Sequence, residues 1–195
     1  MFTITGVLKD LNFKFSSGGT PMLEVRVGDL EDTVAPVPIM FLGNLAQLYM
    51  DNFEDVFENS PVTVQAQLEV REYQGKSYIS LVGHTMIPEI QPITNLATQG
   101  RLVGRVESLD SIQTKNGKSL PTANVTFLVP YRGETPPTAS VRLRNDTLQV
   151  GGLYTFNLAI STWSPRDKPE KVYLSLLETA HTLVGATNPA EEIPF

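Results

Sequence analysis

The side chains best suited to chemistry in this sequence are cations and flat rings, not nucleophiles. Arg101, Arg105, Arg142 and Arg144 alternate with apolar neighbours, and Trp163 is the single tryptophan of 195 residues. Lys115, Lys118, Lys168 and Lys171 lie in flanking hairpins. Guanidinium and ammonium groups hold anions, and an exposed indole stacks on flat ligands, so this set describes a binding surface. Catalysis has no comparable set. The absence of Cys removes thiolate nucleophiles, disulfides and cysteine-based zinc or iron–sulfur sites. His84 and His181 lie 97 positions apart and are too few for a three-His metal site. There is no Gly-rich phosphate loop, Ser/His/Asp order, or carboxylate pair beside a His. No catalytic activity, metal or cofactor is expected, and His84 reads as a structural strand-end residue.

Those side chains must be positioned by strands. Val62, Val64, Ala66, Leu68 and Val70 alternate with Thr63, Gln65, Gln67, Glu69 and Arg71, a half-buried strand. Other alternating runs begin at Phe2, Leu23 and Val37, and one covers Tyr78 to Val82. By the same parity Leu102, Gly104 and Val106 face in, so Arg101 and Arg105 face out. Val141 and Leu143 turn Arg142 and Arg144 outward, and Tyr154, Phe156, Leu158 and Ile160 turn Trp163 outward. A helix follows Gly43, with Asn44 as its cap and Leu45, Leu48, Tyr49, Phe53, Val56 and Phe57 as its apolar stripe. Its opposite face is acidic (Asp51, Glu54, Asp55, Glu58).

The order then repeats. Thr5 to Leu11 aligns with Val103 to Leu109 at an offset of 98, and Gly18-Gly19 meets Asn116-Gly117 at the same offset. Ile39 to Phe41 meets Val141 to Leu143 at 102, Leu68 to Tyr73 meets Leu158 to Trp163 at 90, and Tyr78 to Leu81 meets Tyr173 to Leu176 at 95. The fall from 102 to 90 places a deletion where the first half has its helix. The chain therefore reads as all-β, with two five-stranded domains over 1–92 and 99–184 and a short disordered acidic tail over 185–195.

Three strands, a helix, then a two-stranded hairpin is the order of the OB-fold, a small Greek-key barrel. The first half resembles the bacterial and phage single-stranded DNA-binding protein family. Ile4 to Leu8 resembles its opening strand, Phe15 to Thr20 its first hairpin, and Phe41 to Ala46 its strand-into-helix junction. Val64 to Arg71, with Tyr73 and Gly75 to Tyr78, resembles its final hairpin, and Glu191-Glu192-Ile193-Pro194-Phe195 its acidic tip. The chain departs from that pattern at Pro36-Val37-Pro38, in the acidic loop with Glu31 and Asp32, and in lacking a long linker before the tip.

The resemblance implies tandem OB-fold barrels that coat single-stranded DNA in replication, recombination and repair, without catalysis. It implies stacking and phosphate roles for Phe15, Arg71, Tyr73, Lys76 and Tyr78 in the first domain. Arg101, Arg105, Lys115, Lys118, Arg142, Arg144, Trp163, Lys171 and Tyr173 would serve in the second. Glu191 to Phe195 would hook replication and repair proteins, one apolar anchor preceded by negative charge. A homodimer would present four OB domains. The alternative is an OB-fold protein-interaction or replication accessory module with little DNA binding of its own.

Charge supports the ranking of the two halves. Net charge is −6, but residues 1–95 carry five Lys/Arg against twelve Asp/Glu, whereas residues 96–183 carry ten against seven. The second domain is thus expected to bind more strongly. The charge-free stretch Thr33 to Met50 contains Pro36, Pro38, Asn44 and Gln47 and is no membrane span, and no signal peptide is read at the start. A cytoplasmic protein, bacterial or in the host of a phage, is expected.

Overall fold

A computed structural model of the chain describes residues 1–52, 59–74, 76–113, 116–129, 136, 138–145 and 147–186, with Tyr73, Lys76, Gly185 and Ala186 described in backbone only. It is built from strands and one helix. The first half runs β1 (Phe2–Phe15), β2 (Pro21–Gly28), β3 (Val37–Leu42), α1 (Asn44–Asn52), β4 (Pro61–Tyr73) and β5 (Lys76–Pro88). The second runs β6 (Ala97–Gln113), β7 (Ser119–Phe127), β8 (Thr138–Arg142), β9 (Gly152–Trp163) and β10 (Tyr173–Ala186).

In the first half β1 pairs antiparallel with β2 and β4, β2 with β3, and β3 runs parallel to β5, which adjoins β4. The ring of pairings closes on itself. The second half repeats it, with β6 against β7 and β9, β7 against β8, and β8 parallel to β10, which adjoins β9. Alternation supplies each core: Phe2, Ile4, Leu23, Val25, Ile39, Phe41, Val62, Val64 and Leu81 in the first half, and Val106, Val125, Val141, Phe156, Leu158 and Leu176 in the second, are all buried.

The repeat extends to irregularities. Each first strand has a register shift, between Leu8 and Asp10 and between Val106 and Ser108, 98 positions apart. Gly19 and Gly117, also 98 apart, take positive φ (78° and 74°) in the first hairpin of each half. The pairing of Met40 with Val82 and of Arg142 with Leu177 reproduces the offsets 102 and 95. One offset differs. Gly6 pairs with Val62 and Gly104 with Tyr154, so β4 and β9 correspond at 92 along this ladder, not 90. A two-residue slip preserves which face each residue occupies, so parity alone does not detect it.

The helix also differs in detail. The Gln47 N–H donates to the Gly43 carbonyl, so Gly43 (φ 63°) opens the helix and Asn44 is its first helical residue, not its cap. Ala46 and Tyr49 are its buried residues, whereas Leu48 faces solvent, 55% exposed. The Tyr49 ring meets Phe41 edge-on at 5.0 Å, and its hydroxyl accepts the Met86 N–H at 2.7 Å. Phe53, Glu54, Asp55, Val56, Phe57 and Glu58 lie outside the described residues. Between β8 and β9 no helix occurs among the described residues. His84 is an exposed residue well inside β5, not at a strand end, and its Nε2 lies 3.3 Å from the Gln67 side-chain oxygen.

The chain divides into two compact units whose limits do not follow the two halves. Unit 1 combines Met1–Leu68 and Ser80–Gln99 with Thr162–Leu174, the far end of the β9–β10 hairpin. Unit 2 combines Gly100–Ser161 and the strand from Ser175 with Glu69–Ile79, the far end of the β4–β5 hairpin. Within unit 1 the Thr162 hydroxyl donates to the Ala35 carbonyl, and Arg26 Nη2 donates to the Glu170 carbonyl at 3.3 Å.

Candidate nucleic-acid interface

In unit 2 the strand registers place three rows across β6, β7 and β8: Arg105–Thr126–Thr138, Ser108–Asn124–Ser140 and Asp110–Thr122–Arg142. Side chains opposite one another share a face; Thr122 and Thr126 are buried, so this surface offers the hydroxyls of Ser108, Thr138 and Ser140, the Asn124 amide, the guanidiniums of Arg105 and Arg142, and one exposed carboxylate, Asp110. Asn124 donates to Ser108 Oγ at 2.9 Å. Arg105 is partly held by Glu107, Nε to Oε1 at 3.0 Å. Arg101, Arg142 and Arg144 are exposed and make no ion pair with any described residue. Lys118 is exposed beside the Gly117 turn. Arg71 and Tyr78, from the β4–β5 hairpin end, belong to this unit. Arg71 pairs with Glu69 at 2.6 Å, and Tyr78 is 43% exposed.

The corresponding face of unit 1 is different. Its rows are Asp10–Arg26–Pro38, Asn12–Glu24–Met40 and Lys14–Met22–Leu42. Arg26 Nε lies 2.9 Å from Glu24 and 4.0 Å from Asp10, and Lys14 lies 3.7 Å from Glu24. Where unit 2 carries Thr122 and Arg142, unit 1 carries Glu24 and Met40. The cations here lie beside carboxylates, and the β3 residues on this face, Pro38, Met40 and Leu42, are apolar.

Unit 1 has the rings instead. Trp163 is 53% exposed and stacks on Tyr173, centroids 4.9 Å apart and planes 20° from parallel. Phe15, 61% exposed, meets Phe13 edge-on at 5.2 Å. Arg166, Lys168 and Lys171 are exposed in the same hairpin end as Trp163. Sequence parity places Trp163 and the four arginines on one barrel. The structure assigns Trp163, Lys171 and Tyr173 to unit 1 and the arginines to unit 2. The side chains of Tyr73 and Lys76, together with Lys115 and Glu191 to Phe195, lie outside the described residues.

The acidic loop after β2 is structural. Buried Asp29 accepts the Thr33 hydroxyl at 2.5 Å and the N–H groups of Thr33 and Val34 at 2.8 and 3.3 Å. The Thr33 hydroxyl bond holds the Asp29 carboxyl below its ordinary value, outweighing the opposing effect of burial. Asp32 in turn binds Lys9 at 2.9 Å. Among the described residues no group of His, Asp and Glu could hold a metal ion, and no helix is long and apolar enough to cross a membrane.

What parity missed was legible in part. The pairs Glu24–Arg26, Glu69–Arg71 and Arg105–Glu107 are all two residues apart on one strand, hence on one face. That spacing was the available signal that three of the cations are shared with carboxylates.

No protein-family model matches the chain, and no curated protein matches it. Among solved structures it is similar to the single-stranded DNA-binding protein of Thermus aquaticus, with a TM-score of 0.68 over 98% of this chain and 95% of that one at 14% identity. The chain shares that protein's fold. A deletion mutant of the same protein matches at a TM-score of 0.68 and 15% identity, over 98% of this chain and 97% of that one. At such identity the likeness concerns the path of the backbone through both halves, and individual side-chain roles rest on the geometry above.

Proposed function

We propose that the chain binds single-stranded DNA through two tandem OB barrels, one per ring of strand pairings, without catalysis. The observation that carries this reading is the outer face of unit 2: in a chain of net charge −6, three exposed arginines with no ion pair among the described residues flank the hydroxyls of Ser108, Thr138 and Ser140 and the Asn124 amide. Guanidiniums and hydroxyls hold a phosphate backbone without reading sequence, and the exposed Trp163–Tyr173 stack offers a π-face for a base. The fold match to a protein that binds single-stranded DNA supports the same reading. The charge balance makes the second-half face the stronger phosphate holder. Residues 191–195, acidic and ending Ile-Pro-Phe, would recruit replication and repair proteins, and two copies of the chain would present four barrels. The place of action would be the cytoplasm.

Titrating the indole fluorescence with oligo-dT and with duplex at 50 and 200 mM salt tests it. Oligo-dT should quench the emission, with duplex much weaker. Four phosphate contacts at a slope of about −0.7 each would weaken binding about fifty-fold across that salt range. Salt-independent or absent oligo-dT binding refutes the reading and favours a protein-interaction module.

A further inference from the structure

The connection from β8 to β9 takes the place of the first half's helix, and three side chains hold it, Glu178 and Tyr154 buried and His181 half-buried. Glu178 of β10 is 3% exposed, and its Oε2 accepts the Arg144 N–H at 2.9 Å. Its Oε1 lies 3.3 Å from His181 Nδ1, and His181 Nε2 lies 3.1 Å from the Thr147 hydroxyl. The His181 ring stands edge-on to Tyr154 at 5.5 Å, and the Tyr154 hydroxyl accepts the Gln149 N–H at 2.9 Å. A carboxylate only accepts, so it fixes the hydrogen on Nδ1 and leaves Nε2 to accept from Thr147. Arg144, Thr147 and Gln149 are thereby pinned at three successive points. A solvent-exposed segment gains no comparable order from its own sequence, Leu143 to Val150, whose buried residues among those described are Leu143 and Leu148.

We propose that Glu178 and His181 are positioning residues for Arg144: they hold its backbone so that its exposed guanidinium meets the DNA phosphates in a fixed place. This rests on the single-strand reading above. A buried carboxylate needs partners, and burying one here would be unfavourable if Leu143 to Val150 were merely a spacer. In the first half the same stage of the chain is held by Tyr49 of the helix, whose hydroxyl accepts the Met86 N–H, and among the described residues there no buried acid is used.

The test compares Glu178→Ala, Glu178→Gln and Arg144→Gln in the full chain. Readouts are amide hydrogen exchange at Arg144 and the salt dependence of oligo-dT affinity. Glu178→Ala should speed exchange at Arg144 and flatten the slope of log affinity against log salt by about 0.7, as Arg144→Gln does, so that the loss from 50 to 200 mM shrinks about 2.6-fold. Glu178→Gln keeps an acceptor for Arg144 and can donate to His181 in its other tautomer, so it should retain the wild-type slope. If Glu178→Ala fails to fold, His181→Phe, which keeps a ring against Tyr154 and drops both hydrogen bonds, should flatten the slope in the same sense. A variant that melts earlier yet keeps the wild-type slope overturns the proposal and leaves a purely structural clamp. A wild-type chain without salt-dependent oligo-dT binding overturns the single-strand reading, and this inference with it.

Discussion

Replacing Trp163 with Ala should weaken oligo-dT binding by the energy of one base stack. Tyr173 occupies one face of the indole at 4.9 Å, so a single base can stack on the other. One such stack is worth about 1–3 kcal/mol, which is about 5- to 150-fold in affinity. The substitution also acts on the fold. With 53% of Trp163 exposed, nearly half is covered. Half of a roughly 250 Å² side chain at about 25 cal/mol/Å² sets an upper bound of about 3 kcal/mol on lost stability. Thermal melting and binding must therefore be read together. Trp163→Phe separates them, because it keeps a ring on Tyr173 and a smaller face for the base, and should lose less affinity than Ala. The assay is anisotropy of a labelled oligo-dT, since both variants lack the indole signal. If Trp163→Ala melts as a folded chain and binds within two-fold of wild type, the stacking argument is wrong.

Three further outcomes follow from the same geometry. Replacing Arg142 and Arg144 together with Gln should flatten the salt slope by about 1.4 units and cut the affinity loss between 50 and 200 mM salt about seven-fold, and an unchanged slope would take the phosphate contacts off this face. Asp29→Asn should lower the melting temperature at neutral pH. Because the folded Asp29 carboxyl titrates below the ordinary value of about 3.9, its contribution is present above that pH and disappears as pH falls through the lower folded value. Wild type and variant should thus converge in acid, and a gap independent of pH from 6 to 2.5 would contradict it. Deleting residues 188–195 should leave oligo-dT affinity unchanged or slightly higher, most visibly at low salt, and remove host proteins retained by the full chain in a pull-down. Identical retained sets would mean that the tip recruits nothing.

Much of the architecture could be read from alternation because the strands are half-buried and keep their parity. Arg101, Arg142 and Arg144 are exposed where their apolar neighbours placed them, and the offsets 98, 102 and 95 reappear in the ladders. Parity is blind to shifts of two, which is why side-chain type alone pairs β4 with β9 at an offset of 90 and the ladder gives 92. It is equally blind to which body a hairpin end joins. Trp163 faces outward as parity expects, yet belongs with residues of the first half, because that depends on contacts such as Arg26–Glu170, 144 positions apart. The Glu178 clamp was invisible for a similar reason. A lone acid in Leu176 to Thr179 looks like a solvated charge until its partners from other elements are known.

Membership of Thr162–Leu174 in unit 1 bears on how the chain is made. A ribosome delivers residues at roughly 5–20 per second, so about a hundred residues and roughly 5–20 seconds separate Leu68 from the last piece of the first unit. Until then the Ala35 carbonyl and the Arg26 guanidinium wait for Thr162 and Glu170. Unit 1 is therefore completed after translation has passed most of unit 2, and the nascent first half must survive unfinished, with Asp10 and Glu24 already screening Arg26. The same arithmetic governs dissection. A gene cut at the stretch before Ala97 yields two fragments, one lacking Trp163 and Tyr173, the other lacking Arg71 and Tyr78, and neither is a unit of the folded protein.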